Sequence, residues 1–396
     1  STCRKARALG IQPTLQQIST FVYASHRTST RCLYKPVSYL SASVRLRPLC
    51  LSYTHTVSIY LLMVRRAVEE SGPSMATGEE REPNAPVVVR ANGSSAWRSL
   101  VATMLWVGPL FLTTFLCLVA LFLCRSTAAL WIVGFLVLLI FEPVSDKSKF
   151  GKAVGSFMGR YSPGYFHVNM HIEDVKAFDD SKAYVLAAEP HSIFPIGAVS
   201  LLNITGLMPL SKTKVLASNA IFCTPFLRQI TTWMGLIPAT RRNFVNYLKA
   251  GYSCIVIPGG VQEIIYMSRD YEVAYLKRRH GFVRVAIETG CPLVPVFCFG
   301  QNNAFNWWKP QGKLYIRLSR AMRFAPLMFW GVYGSPIPYR SPVHVVVGKP
   351  IEVEQNANPS AEEVAELHAR FLSSLEELFS KYRVATGHAE TELRIL

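Results

Sequence analysis

Two long apolar runs lie close together in the first half of this chain. Residues 99–124 are almost wholly apolar, which is long enough for a helix that crosses a bilayer, since such a helix needs about 20 residues. The polar step Arg125–Thr127 ends this run, and residues 128–141 form a second one. A helix over this second run rises roughly 21 Å, less than a hydrocarbon core of about 30 Å. The two runs predict a membrane hairpin over 99–141, made either of two tilted spans or of one re-entrant loop.

From residue 142 onward, short apolar segments alternate with amphipathic ones, which is typical of a layered α/β domain. The predicted strands are Tyr184–Ala188, Lys214–Ala217, Cys254–Ile257, Leu293–Phe299, Lys313–Leu318 and His344–Val347. The predicted helices are Ile193–Leu202, Ala220–Met234, Phe244–Ala250, Gly281–Thr289 and a last one in which apolar residues recur from Val364 to Tyr382. Ser360 and Glu363 have the spacing of a capping box before this last helix. The sequence therefore predicts an α/β domain over 142–396.

The N-terminal region before the hairpin has a different composition. Residues 1–74 are rich in Ser, Thr, Arg and Leu and show no sustained period. We interpret 1–74 as a leader outside the fold. Translated upstream sequence before a natural start at Met75 is favoured over a transit peptide, which would also be rich in Arg and Ser. Residues 75–98 are predicted to be a polar tail.

The chain is strongly basic, with a formal net charge of +17. It has no zinc-finger spacing, no RNP-like aromatic motif and no basic region with heptads, so a nucleic-acid partner is disfavoured. Anionic lipid headgroups or a polyanionic substrate fit the charge better. Basic residues flank both ends of the hairpin, which places both flanks in the cytosol by the positive-inside rule. These flanking residues are Arg90, Arg98, Lys147, Lys149 and Lys152.

The first candidate for chemistry is the segment Glu189-Pro190-His191-Ser192, which follows a buried strand and precedes a predicted helix. Such a position, after a strand and before a helix, is a common place for sites in α/β folds. A histidine there can act as a general base, because its ordinary pKa of about 6.5 is close to working pH. Glu189 is near enough in sequence to orient it.

Two further segments can contribute to the same site. Pro258-Gly259-Gly260 follows another strand, and glycines allow close backbone approach and offer N–H groups to an anion. Glu263 follows them and can hold His191 or a substrate hydroxyl. Adjacent cations before a predicted helix suit phosphate groups. These cations are Lys277, Arg278 and Arg279, with Arg241 and Arg242 as a second group.

Several classes of enzyme are disfavoured by missing motifs. The sequence has no G-x-S-x-G nucleophile elbow, no phosphate-binding loop of the G-x-x-x-x-G-K-[ST] type and no G-x-G-x-x-G. His167 and His171 lie four residues apart, but H-E-x-x-H is absent, so no metal site is predicted.

These three segments, in this order after an apolar hairpin, resemble those of the type-2 diacylglycerol acyltransferase family. The Glu189-Pro190-His191-Ser192 form is similar to that of the plant branch, since animal and fungal members have His-Pro-His-Gly. The resemblance also rests on Pro258-Gly259-Gly260 with Glu263, Arg279-His280-Gly281-Phe282, Leu293-Val294-Pro295-Val296 with Phe299-Gly300, and the tail Glu392–Leu396. The tail is similar to C-terminal retrieval signals of the endoplasmic reticulum. The resemblance spans roughly 99–396.

The resemblance implies a mixed-sheet, glycerolipid-acyltransferase-like cytosolic domain anchored by the hairpin. It implies acyl transfer from acyl-CoA to diacylglycerol, with His191 as catalytic base and no cofactor, because acyl-CoA is a substrate. Related glycerolipid acyltransferases use His-x4-Asp, but the matching position is Ile196, so Glu263 and then Glu189 are the candidate partners of His191. The predicted substrate-binding residues are Pro190, Ser192, Gly259, Gly260, Arg241, Arg242, Lys277, Arg278, Arg279, Gly281 and Phe282.

The predicted location is the endoplasmic reticulum membrane, with cytosolic termini, and the lipid-droplet surface; a homo-oligomer is left open. The segment Phe324–Tyr333 and the cations Lys309, Lys313, Arg317, Arg320 and Arg323 are predicted to face lipid headgroups. Two alternatives stay open at this point. One is another acyl acceptor, namely monoacylglycerol, a long-chain alcohol that would give a wax ester, or a lysophospholipid. The other is a non-catalytic hairpin protein of lipid droplets.

Overall fold

The computed structural model describes residues 86–91, 93, 95–322 and 325–396. The predicted leader 1–74 and the first part of the predicted polar tail lie outside the described residues. The strands are β1 Val87–Arg90, β2 Asn169–Ile172, β3 Val185–Glu189, β4 Thr213–Ala217, β5 Leu236–Pro238, β6 Ser253–Val256, β7 Tyr271–Ala274, β8 Leu293–Phe299, β9 Asn306–Trp308, β10 Met328–Trp330, β11 His344–Val347 and β12 Glu392–Ile395.

Helices alternate with these strands along most of the chain. They are α1 Ala96–Phe122, α2 Thr127–Phe141, α3 Lys149–Tyr165, α4 Ile196–Ser200, α5 Asn219–Phe222, α6 Leu227–Met234, α7 Arg241–Lys249, α8 Val261–Tyr266, α9 Gly281–Thr289, α10 Lys313–Met322 and α11 Ala361–Tyr382. The capping box predicted for α11 is present, because Ser360 and Glu363 bond each other's backbone N–H groups.

Eight strands form one mixed sheet in the order β1-β2-β11-β8-β3-β6-β4-β5. Strand β3 runs parallel to both of its neighbours, β6 and β8, and β4 runs parallel to β5 and β6. Strand β11 is antiparallel to β8, which makes the sheet mixed. The α/β class predicted from the sequence is therefore confirmed. The carboxyl ends of β3, β4, β5, β6 and β8 all lie at one edge of the sheet, and the site is built there.

Both faces of the sheet are covered, because successive residues of a strand point to opposite faces. Leu186 and Ala188 of β3 belong to one apolar core, to which α1, α3 and α6 contribute. Val185 and Ala187 belong to a second core, which α9 and α11 cover from the other side. The central strand β3 is buried along its whole length, so the turn that follows it is held on a rigid support.

The two apolar helices α1 and α2 both contact the segment Pro225–Phe226. Thr113 of α1 donates its hydroxyl to Pro225 O at 2.9 Å, and the ring of Phe135 of α2 lies 6.0 Å from that of Phe226. Within the described residues, α1 is the one helix that is long and apolar enough to cross a membrane. The outer part of α1 and most of α2 expose apolar side chains, among them Phe115, Leu118, Leu121, Phe122, Leu130, Trp131, Leu138 and Phe141.

The N-terminal part of α1 is not separate from the domain. Ala102, Leu105 and Trp106 are buried in the first core, and α1 packs along α3. The sequence predicted a hairpin over 99–141 before a domain over 142–396. Part of the predicted hairpin contributes to the first core, a contact that hydropathy alone cannot predict, because it does not distinguish a helix buried in protein from one buried in lipid.

Other local predictions are wrong for identifiable reasons. Residues 313–318 are helical rather than extended, since they begin α10. The helix predicted over 220–234 is two helices, because Pro225 interrupts it and Phe226 has a φ of 61°. The predicted polar tail contains the edge strand β1, which pairs with β2.

Helix α3 was not predicted, because four glycines interrupt a pattern of apolar residues at helical spacing, namely Val154, Phe157, Met158, Tyr161 and Tyr165. Close packing explains one of these glycines. A Cβ at Gly155 would lie 2.3 Å from the backbone oxygen of Trp233, so α3 can approach that residue only without a side chain there.

Candidate active site

The turn after β3 holds His191 in one tautomer. The ring Nδ1 of His191 lies 2.7 Å from Ser192 O. A carbonyl oxygen can only accept, so Nδ1 carries the proton and Nε2 keeps its lone pair. A carbonyl thus takes the orienting role that a carboxylate has in a His-x4-Asp motif. His191 is half-buried, as a residue that meets a substrate must be.

Ser192 has two unusual features beside this histidine. Its φ is 57°, a left-handed conformation that is uncommon for residues other than glycine and is often found at functional sites. Its hydroxyl is buried and has no hydrogen-bond partner among the described residues. A buried hydroxyl without a partner is available to a substrate.

Glu263 connects the second predicted segment to the first, through the backbone rather than through the imidazole. Its Oε2 accepts the His191 N–H at 2.6 Å, and its Oε1 accepts the Tyr275 N–H at 2.8 Å. The expectation that this carboxylate orients the His191 ring is therefore not met in this structure. Glu263 instead holds the main chain of His191, and thereby the position from which the ring extends.

The two glycines are required for this approach of Glu263. A Cβ at Gly259 would lie 1.7 Å from Glu263 Oε1, far inside any real contact. Gly260 has φ 55° and ψ −140°, a conformation that only glycine adopts readily. The Gly259 N–H donates to Glu189 Oε1 at 3.3 Å, so it is not free for an oxyanion.

Three buried carboxyl groups converge at this end of the sheet: Glu189, Glu263 and Glu272. Burial, and then the charge of Glu263, raises the pKa of Glu189 well above its ordinary value. Burial and the same neighbouring charge raise the pKa of Glu272 to about 7. The protonated form of Glu189 is therefore favoured, because two adjacent buried charges of one sign are costly. Glu189 accepts the Gly259 N–H and makes no hydrogen bond to the imidazole among the described residues, so it too acts through its neighbours.

Arg279 is the predicted cation that reaches the site. Its Nη2 donates to Gly259 O at 3.4 Å, and its guanidinium lies 5.3 Å from the centre of the Tyr275 ring. Its Nε is buried and has no partner among the described residues. Lys277 and Arg278 are exposed two positions and one position before it.

The other predicted cations and the remaining binding residues lie farther out or elsewhere. Arg241 forms an ion pair with Glu288 at 2.5 Å, and Arg242 is exposed, both at the beginning of α7. Phe282 is not positioned for substrate, because it is buried in the second core with its ring 5.1 Å from that of Phe371. Gly281 is exposed and has no atom within 4 Å of an added Cβ, so it is a surface helix start.

Two polar side chains of the site were missed by the sequence analysis. Gln301 donates to Pro190 O and accepts the Gly197 N–H at 3.2 Å, which holds the turn around His191 from both sides. Asn302 donates to Glu272 Oε2. Both residues directly follow β8, a parallel neighbour of β3. Their place just beyond the carboxyl end of a predicted strand was the signal that could have found them.

An aromatic cluster joins this turn to the apolar helix α1. The ring of Phe194 lies 5.8 Å from that of Trp106, 5.4 Å from that of Phe305 and 5.6 Å from that of Phe329. The ring of Phe111, farther along α1, lies 5.0 Å from that of Phe329. The active-site turn thus packs directly against α1, the helix whose outer part exposes apolar side chains.

Two cavities meet beside the carboxyl groups. A small cleft is lined by Pro190, Ser192, Glu263 and Glu272, and it shares Met267 and Tyr271 with a larger cavity. The larger cavity has a volume of about 830 Å³, within the range of about 300–1,000 Å³ typical of ligand sites. Its walls include Tyr266, Trp307, Trp308, Tyr315 and Ile316.

Lys309 lines the larger cavity, and its ammonium is bonded within the protein, which corrects the prediction that it faces lipid headgroups. Its ammonium donates to the carbonyls of Ile264, Ile265 and Met267, at 3.3, 2.6 and 2.6 Å, and so ends α8. Burial lowers its pKa to about 8. Arg323 and Phe324 lie outside the described residues. Within the described ranges, no group of three or more His, Cys, Asp or Glu residues is arranged to hold a metal ion.

The raised pKa of Glu272 predicts a pH-dependent stability. The folded state keeps a proton that the unfolded chain releases above the ordinary value of 4.5, so stability falls as pH rises from about 4.5 to 7. The melting temperature in detergent should therefore fall less from pH 5 to pH 8 for Glu272→Gln than for the wild type. The exposed helix residue Glu366 provides the control Glu366→Gln, which should leave the slope unchanged. Equal slopes for wild type and Glu272→Gln would contradict the prediction.

Relatives that this chain matches in sequence are named acyltransferases. Diacylglycerol O-acyltransferase 2 of Dictyostelium discoideum is 28% identical over 253 residues, which cover 60% of this chain and 76% of that protein. The 2-acylglycerol O-acyltransferase 3 of Homo sapiens is 29% identical over 226 residues, which cover 52% of this chain and 65% of that protein. Among solved structures, the 1-acyl-sn-glycerophosphate acyltransferase PlsC of Thermotoga maritima matches 68% of this chain and 97% of that chain, with a TM-score of 0.37 and 17% identity.

The family comparison covers most of the chain. Residues 119–396 match the family model described as diacylglycerol acyltransferase. This range includes the turn after β3, the two glycines and Glu263, the cations before α9 and the C-terminal strand β12. The chain therefore belongs to the diacylglycerol acyltransferase family and is an acyl-transferring enzyme.

Proposed function

We propose that this enzyme transfers an acyl group from acyl-CoA to the free hydroxyl of diacylglycerol, which gives triacylglycerol and CoA. The observation that carries the proposal is the state of His191 at the end of β3. Its Nδ1–H is held by the Ser192 carbonyl, so Nε2 is free to accept a proton, in a chain of this family. The relatives named diacylglycerol O-acyltransferase support the choice of acceptor.

In the proposed mechanism, His191 Nε2 takes the proton of the acceptor hydroxyl as its oxygen attacks the thioester carbonyl. The new C–O bond forms a tetrahedral intermediate, whose C–S bond then breaks. The CoA thiolate leaves and takes the proton from the imidazolium, so the enzyme returns to its starting state. No covalent acyl-enzyme is needed, because a thiolate is already a good leaving group.

Backbone N–H groups are the proposed donors to the oxyanion. Gly259 N is occupied by Glu189, so the proposed donors are the N–H of Gly260 and those of Ser192–Phe194 in the turn after β3. One such donor contributes about 3–4 kcal/mol in other enzymes. Glu263 is the proposed positioning residue, because it fixes the His191 N–H and Tyr275 N–H at once.

The acyl chains are proposed to lie in the aromatic-lined cavity of about 830 Å³ that adjoins the carboxyl groups. The CoA phosphates are proposed to bind the cations before α9. The Nε of Arg279 is buried and has no partner among the described residues, and the exposed Lys277 and Arg278 extend the positive charge outward. The exposed Arg242 can add to this charge, and Arg241 does so fully only after it leaves its ion pair with Glu288.

Lys277→Gln with Arg278→Gln tests the phosphate contact without touching the site's hydrogen bonds. We expect the KM for acyl-CoA to rise about threefold to tenfold and the KM for diacylglycerol to stay the same, since exposed charges contribute modestly. The difference should shrink at high salt, because salt screens exposed charges. The matched control is Lys249→Gln with Lys349→Gln, two exposed lysines elsewhere. An equal rise in both KM values would contradict the assignment.

Diacylglycerol is proposed to arrive through the endoplasmic reticulum membrane, in which the α1–α2 hairpin inserts with both chain termini in the cytosol. Lipid droplets are the second proposed surface. Helix α10 supports a headgroup contact, because Leu314 and Leu318 form one exposed apolar row and Lys313 and Arg317 form a basic one. The aromatic cluster around Phe194 connects the hairpin to the turn that carries His191.

Replacing Leu121, Phe122, Leu130 and Leu138 together by glutamine should release most of the protein from sedimented microsomes. The reason is that these side chains are 60% or more exposed in the folded protein and have lipid as their natural environment. Val384→Gln changes an equally exposed residue outside the hairpin and should remain in the pellet. Retention of the fourfold variant would contradict insertion of the hairpin.

Monoacylglycerol is the second candidate acceptor, because several relatives are named 2-acylglycerol O-acyltransferase. One microsomal assay distinguishes the acceptors. Labelled acyl-CoA is offered with diacylglycerol, monoacylglycerol, a long-chain alcohol or a lysophospholipid at equal concentration. The proposal predicts the highest kcat/KM for diacylglycerol, and a higher value for any other acceptor would overturn the choice of substrate.

A further inference from the structure

The C-terminal segment Glu392–Leu396 is built into the protein beside the active site. Its strand β12 pairs in parallel with β7, with Glu392 opposite Tyr271 and Ile395 opposite Ala274. Leu393 and Ile395 pack against the second core, whereas Glu392 and Arg394 face outward. The Arg394 guanidinium lies 3.8 Å from the centre of the Tyr271 ring.

The last residue makes three further backbone contacts. Leu396 N donates to Ala274 O at 2.9 Å, and Leu396 O accepts from Leu276 N at 2.9 Å and from Lys277 N at 2.8 Å. These bonds hold the chain directly before and after Tyr275. The Tyr275 N–H is one of the two donors to Glu263, and the other is the His191 N–H.

The segment that β12 holds carries several parts of the site. Tyr271 lines both cavities, Glu272 belongs to the carboxyl cluster, and Tyr275 donates to Glu263. Lys277 and Arg279 follow directly. Strand β7 has one partner, β12, in a two-stranded sheet apart from the main one. Among the described residues, no strand other than β12 pairs with β7.

We propose that the C-terminal strand Glu392–Leu396 is a positioning element of the active site, which sets Tyr275 against Glu263 and thereby fixes the His191 turn. The sequence alone suggested a retrieval signal for the same five residues. The two roles differ in a testable way, since a retrieval signal needs a free C-terminus and a strand does not. The proposal rests on the acyl transfer proposed above, and the wild-type enzyme in the same assay tests that function separately.

Two variants distinguish these roles. Deletion of 392–396 removes the strand. A flexible Gly/Ser extension after Leu396 leaves the strand and the Leu396 carbonyl in place, but the chain no longer ends at Leu396. We expect the extended enzyme to keep its kcat, wherever in the cell it is found. We expect the deleted enzyme, assayed in microsomes at matched abundance, to lose about tenfold to a hundredfold in kcat, because small misplacements of catalytic groups have effects of this size.

Limited proteolysis separates positioning from a loss of folded protein. If β12 positions Tyr275 against Glu263, the deleted enzyme keeps a wild-type amount of protease-resistant domain while its kcat falls. A smaller folded fraction would lower both in proportion. Leu396→Pro, which removes the N–H bonded to Ala274, should lose kcat in the same way but less than the deletion, and Leu396→Ala should keep its kcat.

A conservative double variant completes the test. Leu393→Val with Ile395→Val keeps an apolar, strand-forming tail and should retain wild-type kcat. Full kcat in the deleted enzyme would overturn the proposal, as would a loss of kcat that only matches its loss of protease-resistant domain, or a loss of kcat in the extended enzyme. Absence of activity in the wild type would instead refute the proposed acyl transfer.

Discussion

Replacing His191 by alanine is expected to remove most triacylglycerol synthesis, by a factor of about 10²–10⁴, while the protein stays in the membrane at normal abundance. The factor is the usual contribution of general-base catalysis. Folding should suffer little, because His191 is only half-buried and its one ring hydrogen bond goes to the neighbouring Ser192 carbonyl. The measurement is acyl transfer to diacylglycerol in microsomes that contain equal amounts of each enzyme.

A second substitution at the same position tests whether chemistry or shape is lost. His191→Gln keeps an N–H group that can donate to Ser192 O, but its amide is no base. We therefore expect a loss as large as that of His191→Ala. Near-normal turnover in His191→Ala at matched abundance would end the assignment of His191 as base, and recovery in His191→Gln alone would assign it a purely structural role.

The substitution Gly259→Ala is expected to be nearly as severe, with activity reduced about a hundredfold. Its Cβ would lie 1.7 Å from Glu263 Oε1, so the carboxylate must move. The movement breaks the hydrogen bonds to His191 N and Tyr275 N, and a displacement of about 1 Å can reduce a rate by 10². The kcat of the purified enzyme in detergent is the readout.

Gly281→Ala is the matched control for this substitution. Both glycines belong to the predicted substrate-binding set, but an added Cβ at Gly281 meets nothing within 4 Å. We expect Gly281→Ala to keep wild-type kcat. Equal effects of the two substitutions would show that Gly259 matters for some reason other than the space that Glu263 occupies.

The sheet was largely predictable, because its central strands are short, buried and apolar throughout. The predicted Leu293–Phe299 is β8 to the residue, and the predicted Gly281–Thr289 is helix α9. Strand β1 was missed because its three valines lie in an otherwise polar segment, and β12 because its four residues give only two alternations of polar and apolar side chains. Residues 313–318 of helix α10 were predicted as a strand because Leu314, Tyr315 and Ile316 form a short apolar run, and periodicity alone does not assign such a run to a strand or a helix.

The site was predictable where chemistry and strand ends coincide, as at His191, Gly259 and Glu263. The contacts between these residues were not predictable. Sequence spacing gives no sign that Glu263 bonds the backbone N–H of His191 rather than its ring, or that the Ser192 carbonyl orients the imidazole. Phe282 was assigned to substrate because it belongs to the Arg279-His280-Gly281-Phe282 segment of the family resemblance, whereas its burial in the second core depends on α11, far away in sequence.

The central claim is that this chain makes triacylglycerol with His191 as its base, and one measurement tests it most directly. The full chain and its His191→Ala variant are expressed at equal abundance in yeast cells that make no triacylglycerol, and neutral lipid is quantified. The account predicts that triacylglycerol returns with the wild-type chain and stays absent, or at least a hundredfold lower, with the variant. No triacylglycerol from the wild type, or equal amounts from both, would contradict it.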